Sequence, residues 1–110
     1  MKRHIMHLHK NPFEKISSNT QKIESRVYDP KRRKVRVGDI ICFLSREDEK
    51  VFFERKVVGL LIFDCFENLF SLFAPEYFGG YSISDLLQVR KYFSEVEEKK
   101  YGVVGMVLNI

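Results

Sequence analysis

The stretch Thr20–Phe43, TQKIESRVYDPKRRKVRVGDIICF, decides how the chain is organised. Lys22–Tyr28 reads as a strand. Because successive side chains of a strand point to opposite faces, Lys22, Glu24, Arg26 and Tyr28 fall on one side and Ile23, Ser25 and Val27 on the other. Three charged groups then share one exposed row. The basic run Lys31-Arg32-Arg33-Lys34-Val35-Arg36 follows as a loop, and Val37-Gly38-Asp39 turns the chain into an apolar strand, Ile40–Phe43. A basic loop is thereby set beside a charged strand face.

On the N-terminal side, His4–His9 alternates as a short first strand with Met6 and Leu8 toward the core. His7 and His9 project from one face, but no third ligand of defined spacing accompanies them, so His4, His7 and His9 are expected to be surface imidazoles and no metal is implied. Asn11-Pro12 opens a helix, with Phe13 and Ile16 at helical spacing, and the polar run Ser17–Thr20 ends it. That run sets hydroxyl and amide donors beside the charged strand, as in an anion-holding turn.

On the C-terminal side, Arg46–Lys50 is a charged hairpin connection whose acidity argues against a role in polyanion binding. Val51–Phe63 is one bent strand or two short ones, with Gly59 a bulge and Phe52, Phe53, Val57, Val58, Leu60, Leu61 and Ile62 mostly in the core. Phe66, Leu69, Phe70 and Phe73 recur at helical spacing, predicting an amphipathic helix over Cys65–Phe73. Ala74–Tyr81 is a loop set to lie over a cleft, with Tyr77, Phe78 and Tyr81 as packing or stacking rings. Ser82 and Asp85 have the spacing of a capping box for a helix burying Leu86, Val89, Tyr92 and Phe93. Glu95–Lys100 reads as a solvated link, and Tyr101–Leu108, apolar on both faces, as a closing central strand in which Gly102 and Gly105 permit close backbone approach. This order predicts one α+β domain over residues 1–110, with a largely antiparallel, barrel-like sheet and short flanking helices.

Charge is divided unevenly. Residues 1–38 hold eleven Lys and Arg against Glu14, Glu24 and Asp29, a net of +8, whereas residues 39–110 carry a net of −4. The imbalance points to one basic surface and a polyanionic partner, with a solvated loop that binds nothing as the plain alternative. Cys42 and Cys65 lie in apolar contexts and read as reduced residues. The N-terminus lacks the apolar core of a signal peptide, and no run reaches the roughly 18 apolar residues of a membrane span; a cytoplasmic protein is expected.

These motifs together resemble the activating signal cointegrator homology (ASCH) family of the PUA-like superfamily. The resemblance extends over the chain and rests on Met6-x-Leu8, Pro12-Phe13-x-x-Ile16-x-Ser18, Lys22-Ile23-Glu24-x-Arg26, Asp29-x-Lys31-Arg32, Val37-Gly38-Asp39-x-Ile41-x-Phe43 and Tyr101-Gly102-Val103-Val104-Gly105. It implies a PUA-like pseudo-barrel whose cleft is lined by the Lys-Ile-Glu-x-Arg strand and the first helix, with RNA or a nucleotide-like molecule as ligand and no cofactor.

Three functions follow from this reading. The first is an RNA-binding module in which Lys22, Arg26, Lys31, Arg32 and Arg33 hold phosphates. Gln21 lies in the same cleft, and Glu24 accepts from a base amino group or orients Arg26. The second is a small amidohydrolase. Some bacterial members of the family resemble enzymes that deacetylate N-acetylated cytidine with a lysine, a threonine and a glutamate, in a Lys-Thr-x-Thr-x-Arg pattern. Aligned on Arg26, Gln21 and Glu24 occupy the lysine and threonine positions, so Lys22, Glu24 and Thr20 are the substitute candidates and Glu76 the closest acid. The third is a protein-interaction module, suggested by the acidic second half, whose binding survives high salt.

Overall fold

The computed structural model describes residues 1–109. Five strands, β1 (Arg3–Leu8), β2 (Ile23–Val27), β3 (Ile40–Ser45), β4 (Phe52–Phe63) and β5 (Val103–Leu108), form one sheet in the order β1-β3-β4-β5-β2. Only β1 and β3 run parallel; the other neighbours are antiparallel. Four short helices accompany them, α1 (Lys10–Ser17), α2 (Phe66–Phe70), α3 (Ile83–Leu86) and α4 (Glu95–Tyr101), together with 3-10 turns at Arg32–Lys34, Pro75–Phe78 and Leu87–Lys91.

The length of β4 curls the sheet into a half-barrel. Its first half pairs with β3 and its second with β5, and the register slips between Val57 and Gly59. A bulge there bends the strand and increases its twist. Gly59 is predicted at this position and found there, with a Cβ on it only 3.3 Å from Val107 Cγ2. The concave face closes over Met6, Leu8, Ile16, Ile41, Phe43, Val57, Val104 and Met106. A second core lies on the other side of β2 and β5, where α2 sets Phe66, Leu69 and Phe70 against Ile23, Val27 and Val103. Gly105 allows this approach, since a Cβ on it would stand 3.0 Å from Ile23 Cγ2 and 3.1 Å from Leu69 Cδ1. Each fully buried side chain of this size contributes about 2 kcal/mol relative to exposure.

Several expectations are corrected. Phe52, Val58 and Ile62 are about half exposed: neither core encloses them, although Val57 and Leu60 of the same strand pack into the first core and Leu61 and Phe63 into the second. Phe73 lies beyond the end of α2, which stops at Phe70, and is exposed; Tyr92 is likewise exposed. The first helix starts at Lys10 with His9 at its cap position and no side-chain capping bond, which places Asn11 inside the first turn. Glu95–Lys100 is no solvated link but most of α4. Ser94 accepts from Glu97 N at 3.1 Å, acids fill the first turn and lysines the last, so cap and macrodipole both favour a helix. Its Glu98 is 4% exposed and accepts from Phe66 N at 3.1 Å, tying α4 to α2. Arg90 donates to the same carboxylate at 2.9 and 3.0 Å and to Glu67, and these bonds hold both carboxyls below their ordinary pKa range. None of the described helices is long and apolar enough to cross a membrane.

Candidate functional site

In this sheet order β1 and β2 are the two free edges, and the half-barrel opens between them. Arg26 spans the opening. From β2 its Nη2 donates to the His7 carbonyl of β1 at 2.8 Å, while its Nε donates to Glu24 Oε2 at 2.7 Å. The Gln21 amide donates to the Ile23 carbonyl at 2.9 Å and makes a longer bond, 3.5 Å, to Glu24 Oε1. Of the three charged groups predicted to share an exposed row, Glu24 and Arg26 are covered, 7% and 8% exposed, with Gln21 beside them at 6%, while Lys22 is half-buried. Both faces of β2 are in use. Ile23 and Val27 enter the second core, and the charged pair floors a cleft of about 570 Å³.

One wall of the cleft is the end of β1 and the start of α1, with His7, His9 and Lys15. The opposite wall is built from residues 78–93, including Phe78, Gly79, Asp85 and Tyr92. Two contacts join the walls. Lys15 Nζ donates to the Gly79 carbonyl at 2.6 Å, and the His9 and Tyr92 rings stack with centroids 4.6 Å apart. Gly79 has φ +90°, open to glycine at little cost, and a Cβ there would fall 2.3 Å from Gln21 Oε1. The glycine thus sets how closely this wall approaches the buried Gln21. Lys15, Arg26, Arg32, Arg46 and Lys91 line the cleft against two acids, Glu24 and Asp85. Glu24 is matched by Arg26, so the interior favours an anionic or strongly polar ligand.

Among the residues expected at the site, Gln21, Glu24, Arg26 and Arg32 are brought together. Arg32 reaches it from the basic turn, held by Asp29, which accepts at 2.7 Å from Nη1 and at 3.0 Å from the backbone N–H. Lys31 is exposed outside the lining; partial desolvation and the neighbouring Arg32 and Arg26 charges lower its ammonium from the usual lysine range. Arg33 is turned onto the protein, donating to the carbonyls of Tyr28 at 2.8 Å and Tyr101 at 2.9 Å over the Tyr28 ring. Lys22 also lies outside the lining, with Nζ 5.8 Å from the Tyr77 ring centroid, and Thr20 Oγ1 is exposed against Ser18 Oγ at 3.0 Å. Glu76 is exposed and outside the cleft as well.

Sequence reasoning passed over Lys15, Arg46, Lys91 and Tyr92. Lys15 had a signal, its place one residue before the buried Ile16 on α1; Arg46 was set aside because acids follow it, and Lys91, at the end of a 3-10 turn, had none. The histidines are engaged separately: His4 with Asp39 at 2.8 Å, His7 with Glu49 at 3.1 Å and His9 with Tyr92. Cys65, Glu67 and Glu98 set donor atoms within 4.8 Å of one another, but Arg90 already supplies the positive charge between those carboxylates.

No protein-family model and no curated protein matches the chain. Two solved structures are similar over nearly its whole length. The hypothetical protein PH0355 is 35% identical, covers 99% of this chain and 98% of its own, and superposes with a TM-score of 0.84. Protein PF0455 from Pyrococcus furiosus is 31% identical, with 99% and 96% covered and a TM-score of 0.75. The chain belongs to the same family as PH0355 and PF0455.

Proposed function

We propose that the chain is a PUA-like, ASCH-type RNA-binding module that seats one nucleotide of a single-stranded RNA in the cleft between the two sheet edges. The observation that carries this reading is the buried Arg26–Glu24 pair on the cleft floor. A guanidinium with two of its nitrogens fixed, by Glu24 and by His7, is pre-oriented, and its Nη1 has no acceptor among the described residues. A planar fork so held suits a phosphate or a base edge. Glu24 Oε1, in only a long bond with Gln21, accepts from a base amino group. Arg32, Arg46 and Lys91 line the same cleft as phosphate partners, and the exposed face of Tyr92 offers a surface for base stacking.

The amidohydrolase alternative has no comparable support. Lys22 and Thr20 lie outside the cleft lining, and Glu24, at the motif's threonine position, carries a carboxylate already engaged by Arg26. The test is binding of short single-stranded RNAs at several salt concentrations, by wild type and by the double variant Arg46→Ala/Lys91→Ala. Both residues are exposed and form no salt bridge among the described residues, so the fold is retained. Salt-sensitive binding by wild type, with the logarithmic salt slope reduced by about 1.4 in the variant at 0.7 per phosphate contact, supports the reading. Binding that ignores salt would favour a protein partner instead, and no binding at low salt refutes RNA recognition by this cleft.

A further inference from the structure

A second hollow of about 560 Å³ lies behind the basic turn, lined by Lys2, Arg33, Lys34, Arg36, Val37, Gly38 and Asp39. Its charge is one-sided. Lys2, Lys34 and Arg36 form no salt bridge with any described carboxylate, whereas Arg3, Arg26 and Arg32 each have one. The single acid in the lining, Asp39, is 4% exposed. Its oxygens accept from Lys2 N at 2.9 Å, Arg36 N at 3.0 Å and His4 Nε2 at 2.8 Å. That carboxylate pins the loop and is the one negative charge against Lys2, Arg33, Lys34 and Arg36, so the lining keeps a clear excess of cations.

The hollow is also placed next to the cleft. Arg32 lines the cleft and the next residue, Arg33, lines the hollow, so one 3-10 turn separates them and their Cα atoms stand about 3.8 Å apart. Arg33 is clamped to two backbone carbonyls, which makes the turn a fixed post rather than a loose loop. An isolated pair of surface lysines would be solvated and carry no such meaning. Here a concave surface, three unpaired cations and a rigid connection to a second basic cleft coincide.

We infer that this hollow is a second phosphate-binding site, which takes the backbone of the same single-stranded RNA after it passes over the Arg32–Lys34 turn from the cleft. The inference rests on the RNA reading for its ligand, but it assigns different residues and a different dependence on length. A mononucleotide fills the cleft alone; a longer strand reaches both sites. The gain with length comes from phosphates, with little regard to sequence.

The experiment titrates uridine monophosphate and an oligouridylate of about ten nucleotides, within the range of small single-strand sites, into three forms of the full chain. These are wild type, Lys2→Ala/Lys34→Ala/Arg36→Ala and Arg46→Ala/Lys91→Ala. The three hollow residues are exposed and their side chains donate no hydrogen bond to a described residue, so folding is preserved. The hollow variant is expected to bind the mononucleotide as wild type does. On the longer strand its salt slope should fall by about 2 and its affinity by about a hundredfold near 0.1 M salt. An unchanged slope and affinity for the long strand overturns the inference and leaves the cleft reading standing. Loss in the hollow variant with none in the cleft variant does the reverse. If wild type binds neither probe at low salt, both fall.

Discussion

Arg26 closes the half-barrel as well as flooring the cleft, and replacing it by methionine separates the consequences. Methionine keeps most of the length and apolar bulk but leaves the Glu24 carboxylate, 7% exposed, with only the 3.5 Å bond from Gln21, at the edge of useful hydrogen-bond geometry. It also deprives the His7 carbonyl of the donor that links β1 to β2. Removing one partner of a buried pair costs about 3–5 kcal/mol, and the cleft's access to water sets the expected loss at the low end, about 3 kcal/mol. With a urea m value of about 1.5 kcal/mol per molar, the unfolding midpoint falls by about 2 M. Glu24→Gln added to Arg26→Met removes the stranded charge while keeping the shape, and should recover about 2 kcal/mol of the loss. Urea unfolding followed by circular dichroism measures all four corners of the cycle. A single variant within about 0.5 kcal/mol of wild type, or a double variant no more stable than Arg26→Met, would show that the pair does not hold the sheet edges together.

Two glycines with positive φ give a graded contrast. Gly38 has φ +96° and open space around a Cβ, whereas Gly79 has φ +90° and the Gln21 side chain in the way. Gly38→Ala should cost about 1 kcal/mol in thermal unfolding and Gly79→Ala clearly more, with binding of a mononucleotide in the cleft altered only in the second. Asp39 predicts an acid-sensitive step. The backbone N–H of Lys2, then His4 and the N–H of Arg36, depress its pKa, so its contribution is complete above the unfolded value of about 3.9 and is lost as pH falls below it toward the depressed folded value. Asp39→Asn should lower stability at neutral pH and flatten the fall in urea midpoint between about pH 5 and pH 2; an unchanged acid limb would remove Asp39 as its source. Glu98→Gln, which keeps an acceptor for Phe66 N but loses the charged bonds to Arg90, should cost about 2 kcal/mol, whereas the same change in a solvated link would cost almost nothing.

The fold was legible where local pattern and tertiary role agree. The bend at Gly59 and the place of β5 inside the sheet both followed from short stretches, because a glycine within a strand often marks a bulge and a strand covered on both faces is apolar on both. The same logic misled along β4, where a run of apolar residues suggested burial throughout, yet Phe52, Val58 and Ile62 stay about half exposed among neighbours that pack into the two cores. It misled again at α4, whose charges look solvated. The Ser94-x-x-Glu97 capping spacing marked the helix, and only the distant Phe66 and Arg90 give Glu98 a reason to be buried. Composition records that a carboxylate exists; its partners are a property of the fold.

The charged strand repeats this lesson at the cleft. Alternation set Glu24 and Arg26 on one face, and they do share it, but a polar face reads as a wet one unless something is known to cover it. The cover comes from residues 78–93, more than fifty positions further on, and from α1, neither of which betrays in its own sequence what it lies against. The basic half suffers a corresponding loss of detail. Of eleven cations in residues 1–38, three are matched by carboxylates in the fold, Arg3 by Glu54, Arg26 by Glu24 and Arg32 by Asp29. Arg33, which looked like a ligand residue, is spent on backbone carbonyls, while Lys34 and Arg36 of the same basic run, with Lys2, have no salt-bridge partner among the described residues. Net charge therefore announced an excess of cations in this half, and the pairing in the folded chain decides which of them are left without a described carboxylate.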